Sequence, residues 1–195
     1  MLHNKYFGVM RNFLSDYSRG IYGRELIKKV KMSPKAIALT LKEIEDEGIL
    51  SSKMKGNIKY YSFNFFNPLV AEQIAFFEKW NALEFFEKHK NLFDFFKNMG
   101  GEAVVVFGSY AKGNYSKGSD LDVFVVGKID SVKLKELAKN YSIKLQVFSN
   151  SVSEFRSAVK SKEVLVKEIL ENHVIIKGAD FFVREVVECQ KLIGV

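Results

Sequence analysis

Residues 104–127 read VVVFGSYAKGNYSKGSDLDVFVVG, and this stretch decides the fold of the chain. Its apolar start belongs to a run over 103–107 that predicts a buried strand, and a second apolar run predicts another strand over 121–126. Between them, Gly108-Ser109 ends the first strand and a short helix over 110–112 follows at once. We therefore expect an α+β fold whose chemistry is concentrated at this turn.

The corner at Gly108-Ser109 is suited to a phosphate group. A helix start presents unpaired backbone N–H groups, and glycine lets the backbone approach a ligand closely. Ser109 adds a hydroxyl donor, Lys112 places a positive charge nearby, and Gly113 permits the sharp turn that follows. These residues predict a phosphate-binding turn.

Asp120 and Asp122 form the second part of the pattern. Residues two apart on a strand project to the same side, so both carboxylates point together while Leu121 and Val123 face the core. Adjacent carboxylates repel each other unless a cation lies between them, and Mg²⁺ prefers carboxylate and phosphate oxygens. The pair predicts a magnesium site of the kind that phosphoryl and nucleotidyl transfer require.

Taken together, GSYAKG at 108–113 and SDLD at 119–122 resemble the signature of the minimal nucleotidyltransferases of the DNA polymerase β superfamily. That family includes relatives of kanamycin nucleotidyltransferase and the nucleotidyltransferase antitoxins, and the resemblance spans about residues 82–192. It implies a mixed β-sheet flanked by helices and transfer of a nucleoside monophosphate from an NTP to a hydroxyl, with release of pyrophosphate. It also implies nucleotide binding by Gly108, Ser109, Lys112 and Ser119, and a catalytic Mg²⁺ held by Asp120 and Asp122.

The sequence departs from that family at one position. A third carboxylate normally lies on the next strand, where it binds metal or accepts the proton of the attacking hydroxyl. The next predicted strand covers 143–148, and its polar face carries Lys144 and Gln146, neither of which is acidic. We expect transfer to be slow, to use Glu154 or a group of the substrate, or to be lost.

Residues 1–66 form a first predicted domain. Apolar spacing predicts helices over 6–17, 22–30 and 34–47, the last with Ser33 as its N-cap and with Ile37, Leu41 and Ile44 buried. A strand over 49–52, a turn at 55–57 and a strand over 58–65 follow. This order resembles a winged helix-turn-helix domain, which implies binding of duplex DNA. The candidate DNA-binding residues are Lys35, Leu39, Lys42, Lys53, Lys55 and Lys59.

The charge distribution favours a polyanion partner for this first domain. Residues 1–65 hold 12 Lys and Arg against 6 Asp and Glu, within a chain of net charge +7. The rest of the chain is nearly neutral, so the basic surplus is local. Ala38 and Leu39 on the outward side of the third helix offer no hydrogen bonds to base edges, so we expect modest sequence specificity.

Residues 67–100 are a predicted helical connector, and ten of the chain's 18 phenylalanines lie between positions 63 and 96. Phe76, Trp80, Leu83 and Phe86 fall at helical spacing, and a break near 89–91 precedes a second helix that belongs to the catalytic fold. An apolar stripe of this size is expected to pack either on the N-terminal domain or on a second copy of the chain. We expect a homodimer.

Residues 101–195 are the predicted nucleotidyltransferase domain. Beyond the two strands already described, the pattern predicts a helix over 132–140, helix over most of 153–169, a strand over 173–177 and a helix over 181–192.

No apolar run is long enough to cross a bilayer and the first residues lack a signal-peptide layout, so a cytoplasmic protein without membrane contact is expected. One cysteine, Cys189, and the scattered His3, His89 and His173 give no zinc-ligand spacing.

Two functions of different classes fit these observations. The first is an enzyme that nucleotidylates a protein, a nucleic acid or a small acceptor, with the winged helix supplying recognition. The second is a DNA-binding transcriptional regulator whose nucleotidyltransferase domain binds nucleotide but is catalytically impaired, which the residues at 144 and 146 favour. An antitoxin-like partner of a small toxin is a third interpretation that rests on family analogy alone.

Overall fold

The computed structural model of this protein describes residues 4–97 and 99–193, so His3 lies outside the described residues. In chain order these residues form a small sheet with three helices, a helical connector, and a four-stranded sheet flanked by helices. The expected α+β fold class is confirmed. In the described ranges, no helix combines the length and the apolar character needed to cross a membrane.

The N-terminal part contains three helices and three short strands. They are α1 (Asn4–Met10), β1 (Ile21–Tyr22), α2 (Gly23–Ile27), α3 (Pro34–Asp46), β2 (Leu50–Lys55) and β3 (Ile58–Phe63). The strands form an antiparallel sheet in the order β1-β3-β2, and β2 and β3 make a hairpin. The hydroxyl of Ser33 accepts a hydrogen bond from the Ala36 N–H and so caps α3 as expected. Ile37, Leu41 and Ile44 are buried.

The first two helices are shorter than predicted, because α1 ends at Met10 rather than residue 17 and α2 ends at Ile27 rather than residue 30. The Asn12 side chain explains the early end of α1: its Nδ2 donates to the carbonyl oxygen of Gly8 at 2.9 Å and to that of Val9 at 3.2 Å. Local side-chain hydrogen bonds of this kind compete with helical ones. Ile27 of α2 is exposed.

The connector consists of α4 (Val70–Lys88), a 3₁₀ turn (Lys90–Leu92) and α5 (Phe93–Lys97), which confirms the predicted break. The buried side of α4 lies beside the apolar stripe described above rather than on it. It is formed by Val70, Ile74, Ala75, Phe77, Glu78, Ala82 and Phe85. Phe76, Trp80 and Leu83 remain 43%, 38% and 58% exposed. Apolar residues lie on both sides of α4, so their spacing did not identify the side that packs.

Phe7 of α1 covers part of the exposed side of α4. Its ring stacks on Trp80 with the ring centroids 4.3 Å apart, and its centroid lies 5.8 Å from that of Phe76. The expected contact between the connector and the N-terminal part is therefore present. The homodimer stays a prediction.

The C-terminal part contains four strands and five helices. They are β4 (Ala103–Phe107), α6 (Gly108–Lys112), β5 (Leu121–Val126), α7 (Ser131–Asn140), β6 (Leu145–Asn150), α8 (Val152–Ser161), α9 (Val164–Glu171), β7 (His173–Lys177) and α10 (Ala179–Ile193). The sheet order is β6-β5-β4-β7, with β5 and β6 parallel and the other pairs antiparallel. Strands β4, β5 and β7 have the predicted limits.

The largest differences from the sequence prediction in this part concern the helix after β6 and the start of β6 itself. The helix expected over most of 153–169 is two helices, because Lys162 takes a left-handed conformation with φ of 55° and ends α8. The strand expected from residue 143 begins at Leu145 instead, three residues after Ser142, whose φ is 53°. Neither position carries glycine, so nothing in the sequence indicated the left-handed backbone.

Two apolar clusters cover the two faces of the four-stranded sheet. Val104, Val123 and Phe95 belong to one of them. Phe124 and Phe182 belong to the other, which continues without a break into the core of the N-terminal part. The N-terminal part and the C-terminal part therefore share one core, and α4 lies between them.

The connector allows a matched test of this packing. Phe77 is 6% exposed and its neighbour Phe76 is 43% exposed. Phe77→Ala should lower the free energy of unfolding by about 3–4 kcal/mol, because it leaves a cavity between α1 and α4. Phe76→Ala should lower it by less than about 1 kcal/mol. Urea unfolding of both variants measures the difference, and equal losses would show that α4 is packed the other way round.

Candidate active site

The centre of the candidate site is the contact between Gly108 and Asp122. Phe107, the last residue of β4, pairs with Asp122 on β5, so the backbone turn at Gly108 passes directly beside the Asp122 carboxylate. Gly108 has a φ of 65°, and a Cβ atom at this position would overlap Oδ2 of Asp122. Only glycine combines this backbone conformation with the space that the carboxylate needs.

Asp120 and Asp122 lie together at the start of β5, Asp120 exposed and Asp122 half-buried. Burial raises the pKa of Asp122, and the negative charges of Asp120 and Glu168 raise that pKa further against the opposing charge of Lys112. The ionised form of Asp122 is thus disfavoured in the folded protein. A cation bound between the two aspartates would remove this penalty.

The residues at this place fit a magnesium ion. Mg²⁺ is commonly held by one or two carboxylates together with phosphate oxygens of the substrate. Within residues 4–97 and 99–193, no group of three or more His, Cys, Asp or Glu side chains is arranged to hold a metal. The metal would therefore depend on Asp120, Asp122 and the phosphates of a bound nucleotide.

The predicted phosphate corner is the start of α6, which begins at Gly108 rather than at residue 110. The backbone N–H groups of Gly108 and Ser109 consequently lie in the first turn, where helices leave them without an intrahelical partner. Gly113 ends α6 in the left-handed conformation. The Nζ atom of Lys112 lies 3.3 Å from Oε1 of Glu168 on α9, so this lysine is close to the site but already paired.

The loop between α6 and β5 is held by two of the singled-out residues. Oγ of Ser119 accepts a hydrogen bond from the Ser116 N–H at 2.8 Å. The Nζ atom of Lys144 donates to the carbonyl oxygen of Gly118 at 3.4 Å. Ser119 and Lys144 thus position the loop that leads to Asp120.

The register of the sheet identifies which residue of β6 lies beside Asp122. Asp122 pairs with Gln146 on β6, and Gln146 is exposed. Glu154, the substitute acid considered from the sequence, accepts a hydrogen bond from the Ser151 N–H at 2.7 Å and caps α8. An amide therefore stands beside Asp122, on the strand where the resemblance implied a third carboxylate.

Sequence reasoning did not single out Glu168 or the aromatic pair Tyr110 and Tyr115. Glu168 comes to the site only through the packing of α9, and no spacing in the sequence indicates this. The rings of Tyr110 and Tyr115 stack with centroids 4.5 Å apart and planes at 10°. The ring centroids of His89 and Tyr115 are 5.1 Å apart. Aromatic contacts therefore hold the loop after α6 against the C-terminal end of α4.

The candidate DNA-binding residues are all on the surface. Lys35, Leu39 and Lys42 are exposed on α3, and Lys53, Lys55 and Lys59 are exposed on the hairpin. The Nζ atom of Lys59 lies 2.7 Å from Oε2 of Glu45, which ties the hairpin to the end of α3. Lys59 is therefore less available to a phosphate than the other five positions.

Three features together define a nucleotidyltransferase domain: the four-stranded mixed sheet, the glycine turn at Gly108 and the pair of aspartates at the start of β5. The family model described as nucleotidyltransferase domain matches residues 88–189, and the chain belongs to this family. A stretch of 66 residues is 33% identical to a putative protein adenylyltransferase of Methanocaldococcus jannaschii. That match covers 34% of this chain and 60% of the length of that protein. No solved structure matches the chain.

The repulsion at Asp122 should appear as a stability difference. The pKa of Asp122 is raised in the folded state, so at neutral pH the ionised carboxylate lowers the free energy of unfolding. At a pH low enough to protonate Asp122 in both the folded and the unfolded state, this loss is absent. Asp122→Asn should therefore stabilise the metal-free protein at pH 7, by less than about 1 kcal/mol because solvent screens the group. The gain should disappear as the pH falls below about 4. Thermal unfolding of both proteins across this range measures it, and a variant less stable than wild type at pH 7 would contradict it.

Proposed function

We propose that this chain transfers a nucleoside monophosphate from a magnesium-bound NTP to a hydroxyl acceptor. The observation that supports this most directly is the backbone of Gly108 packed against the Asp122 carboxylate. This contact places the turn that would bind phosphate directly beside the carboxylate that would bind the metal. Nucleotidyl transfer needs both, because the metal must contact the same triphosphate that the turn holds.

The residues of the site then have distinct roles. The backbone N–H groups of Gly108 and Ser109 and the Ser109 hydroxyl bind the phosphate tail, and Asp120 and Asp122 hold the magnesium ion. The ion neutralises charge that develops on the phosphates when it is bound. The acceptor oxygen attacks the α-phosphorus and gives up its proton to water. The bond between the α-phosphorus and the oxygen that bridges it to the β-phosphorus then breaks, and pyrophosphate leaves. Orientation by these groups supplies much of the rate.

We propose ATP and a protein hydroxyl as the first donor and acceptor to test. The similar protein of Methanocaldococcus jannaschii carries the name putative protein adenylyltransferase. A Ser, Thr or Tyr hydroxyl of a partner protein is an ordinary acceptor for this chemistry. Gln146 beside Asp122 can orient such a hydroxyl but hardly removes its proton, so the transfer is expected to be slow.

The same glutamine supports a second candidate function. A domain that binds Mg·NTP without turnover would act as a nucleotide sensor attached to a DNA-binding part, and it would need no acid at position 146. The two candidates share nucleotide binding and differ in whether label is transferred.

Nucleotide binding is the first measurement. Calorimetry should show that wild type binds Mg·ATP, and that Asp122→Asn and Gly108→Ala each weaken binding at least about 10-fold, since one removes a metal ligand and the other closes the space for it. Asp46→Asn, an exposed acid of α3, is the control and should bind as wild type does. Equal affinity of wild type and Asp122→Asn would place the nucleotide elsewhere.

Transfer is measured separately, by incubating the same variants with labelled ATP, Mg²⁺ and cell lysate. Gln146→Asp restores an acid beside Asp122 and should raise label transfer about 10-fold or more, the lower end of what a general base contributes. The matched control is Ser149→Asp, which adds an exposed acid on β6 opposite Val125, away from the aspartates. If Gln146→Asp transfers no label while binding stays intact, the sensor function is the correct one.

We also propose that the N-terminal part binds duplex DNA, chiefly through phosphates. Exposed lysines on α3 and on the hairpin support this, as does the basic surplus of residues 1–65. Apart from Lys59, the hairpin and helix lysines named above have no carboxylate partner among the ion pairs of the described residues. Leu39, which is 53% exposed, offers a base only apolar contact.

Binding of a duplex should fall steeply with salt. Lys42→Gln and Lys53→Gln should each reduce the slope of log affinity against log salt by about 1, because each removes one phosphate contact, and both should act equally on unrelated sequences. Lys139→Gln on α7 is the control and should leave the slope unchanged. Fluorescence anisotropy gives the slopes. A flat salt response of the wild type would exclude this mode of binding.

A further inference from the structure

A buried polar cluster lies where the three parts of the chain meet. Tyr17 comes from the turns that follow α1, Glu78 from the connector helix α4, and His173 is the first residue of β7. They are 2%, 0% and 8% exposed. Phe63 and Phe182 pack on Tyr17 and His173, so the surroundings of the cluster are largely aromatic. Nothing in the proposed transfer reaction uses these three residues.

Hydrogen-bond distances join the three side chains directly. Oε1 of Glu78 accepts from the Tyr17 hydroxyl at 2.8 Å and lies 3.1 Å from Nε2 of His173. Nδ1 of His173 faces the carbonyl oxygen of Leu170 at 3.1 Å. Nε2 of His173 also lies 3.3 Å from the Tyr17 hydroxyl, so the three side chains form a closed network in which each contacts the other two. Burial alone would lower the pKa of His173, but Glu78 and the backbone acceptors outweigh it and raise that pKa.

This cluster is a poor device for stability alone. Oε2 of Glu78 is buried without a hydrogen-bond partner in the described structure. Such an unsatisfied group is costly, and three apolar side chains of similar volume would hold the joint at least as well. A buried polar network has a different property: its members strengthen one another, so the loss of one partner is felt by the others.

The cluster is one residue away from the phosphate-binding turn. His173 pairs with Phe107 across β7 and β4, and Phe107 is followed by Gly108. The carbonyl oxygen of His173 also accepts from Nδ2 of Asn81 on α4 at 3.5 Å. His173 further lines a polar cavity of about 370 Å³ whose other wall includes Lys112 and Gly113 of α6. The β4–β7 pairing therefore connects the backbone of His173 directly to the residue that precedes the turn.

We propose that Tyr17, Glu78 and His173 couple the N-terminal part to the nucleotide site. Binding of nucleotide would then change the N-terminal part, and binding of a ligand there would change the affinity for nucleotide. Glu78 is a positioning residue, since it acts on Gly108 and Ser109 through His173 and touches no substrate. Coupling of this kind is reciprocal: if nucleotide orders the N-terminal part, a ligand of the N-terminal part changes nucleotide affinity by the same factor. The inference rests on nucleotide binding at Gly108 and Ser109, as proposed above.

The test compares hydrogen–deuterium exchange of the full chain with and without Mg·ATP. In the wild type, Mg·ATP should slow exchange in residues 11–19, which contain Tyr17. Glu78→Gln keeps the shape of the side chain and removes its charge, and Tyr17→Phe removes only the hydroxyl. Both should abolish the response in residues 11–19 and change Mg·ATP affinity about 2- to 30-fold. A merely structural role would lower the melting temperature without removing this distant response.

The matched control is Lys79→Gln, which breaks the exposed pair of Lys79 and Asp180, 2.7 Å apart, between α4 and α10. It should leave both the response and the affinity unchanged. If Glu78→Gln does not fold, Tyr17→Phe decides alone. A wild type that binds Mg·ATP without a response in residues 11–19, or variants that keep it, would overturn the coupling only. A wild type that does not bind Mg·ATP would overturn the proposed function and the coupling together.

Discussion

The close packing of the Gly108 backbone against the Asp122 carboxylate is the constraint on which this site depends. It requires Phe107 and Asp122 to be paired across β4 and β5, and it requires a residue without a side chain where the backbone turns. A register shift of one residue would turn Asp122 to the opposite face of the sheet. The apolar side chains of these strands and the two clusters that cover them keep this register, so packing of the core holds the site in place.

The parts of the fold that follow from local sequence were predictable. Strands β4, β5 and β7 are short apolar runs bounded by glycine or polar residues, and their limits agree with the prediction. The end of α1 depended on the Asn12 side chain, and the division between α8 and α9 depended on a left-handed Lys162. The buried side of α4 depended on which neighbours pack on it. These features are decided by competition between contacts, which apolar spacing does not record.

The candidate site divides in the same way. Gly108, Ser109, Asp120 and Asp122 lie within 15 residues and one supersecondary unit, so their spacing and type were enough to single them out. The choice between Lys144 and Gln146 required the register of β5 and β6. Glu168 and the cluster of Tyr17, Glu78 and His173 join segments far apart in the chain. Only the packed tertiary structure brings their charges together.

The place of Gln146 has an evolutionary consequence. It lies on β6, the outer strand of the sheet in the order β6-β5-β4-β7, and its side chain is exposed beside Asp122. An exposed position on an outer strand tolerates substitution, because no core contact is lost. A lineage carrying this fold can therefore gain or lose an acid beside Asp122 by very few nucleotide changes. Such a change would leave the scaffold folded, so the chemistry available at this position can vary independently of the fold.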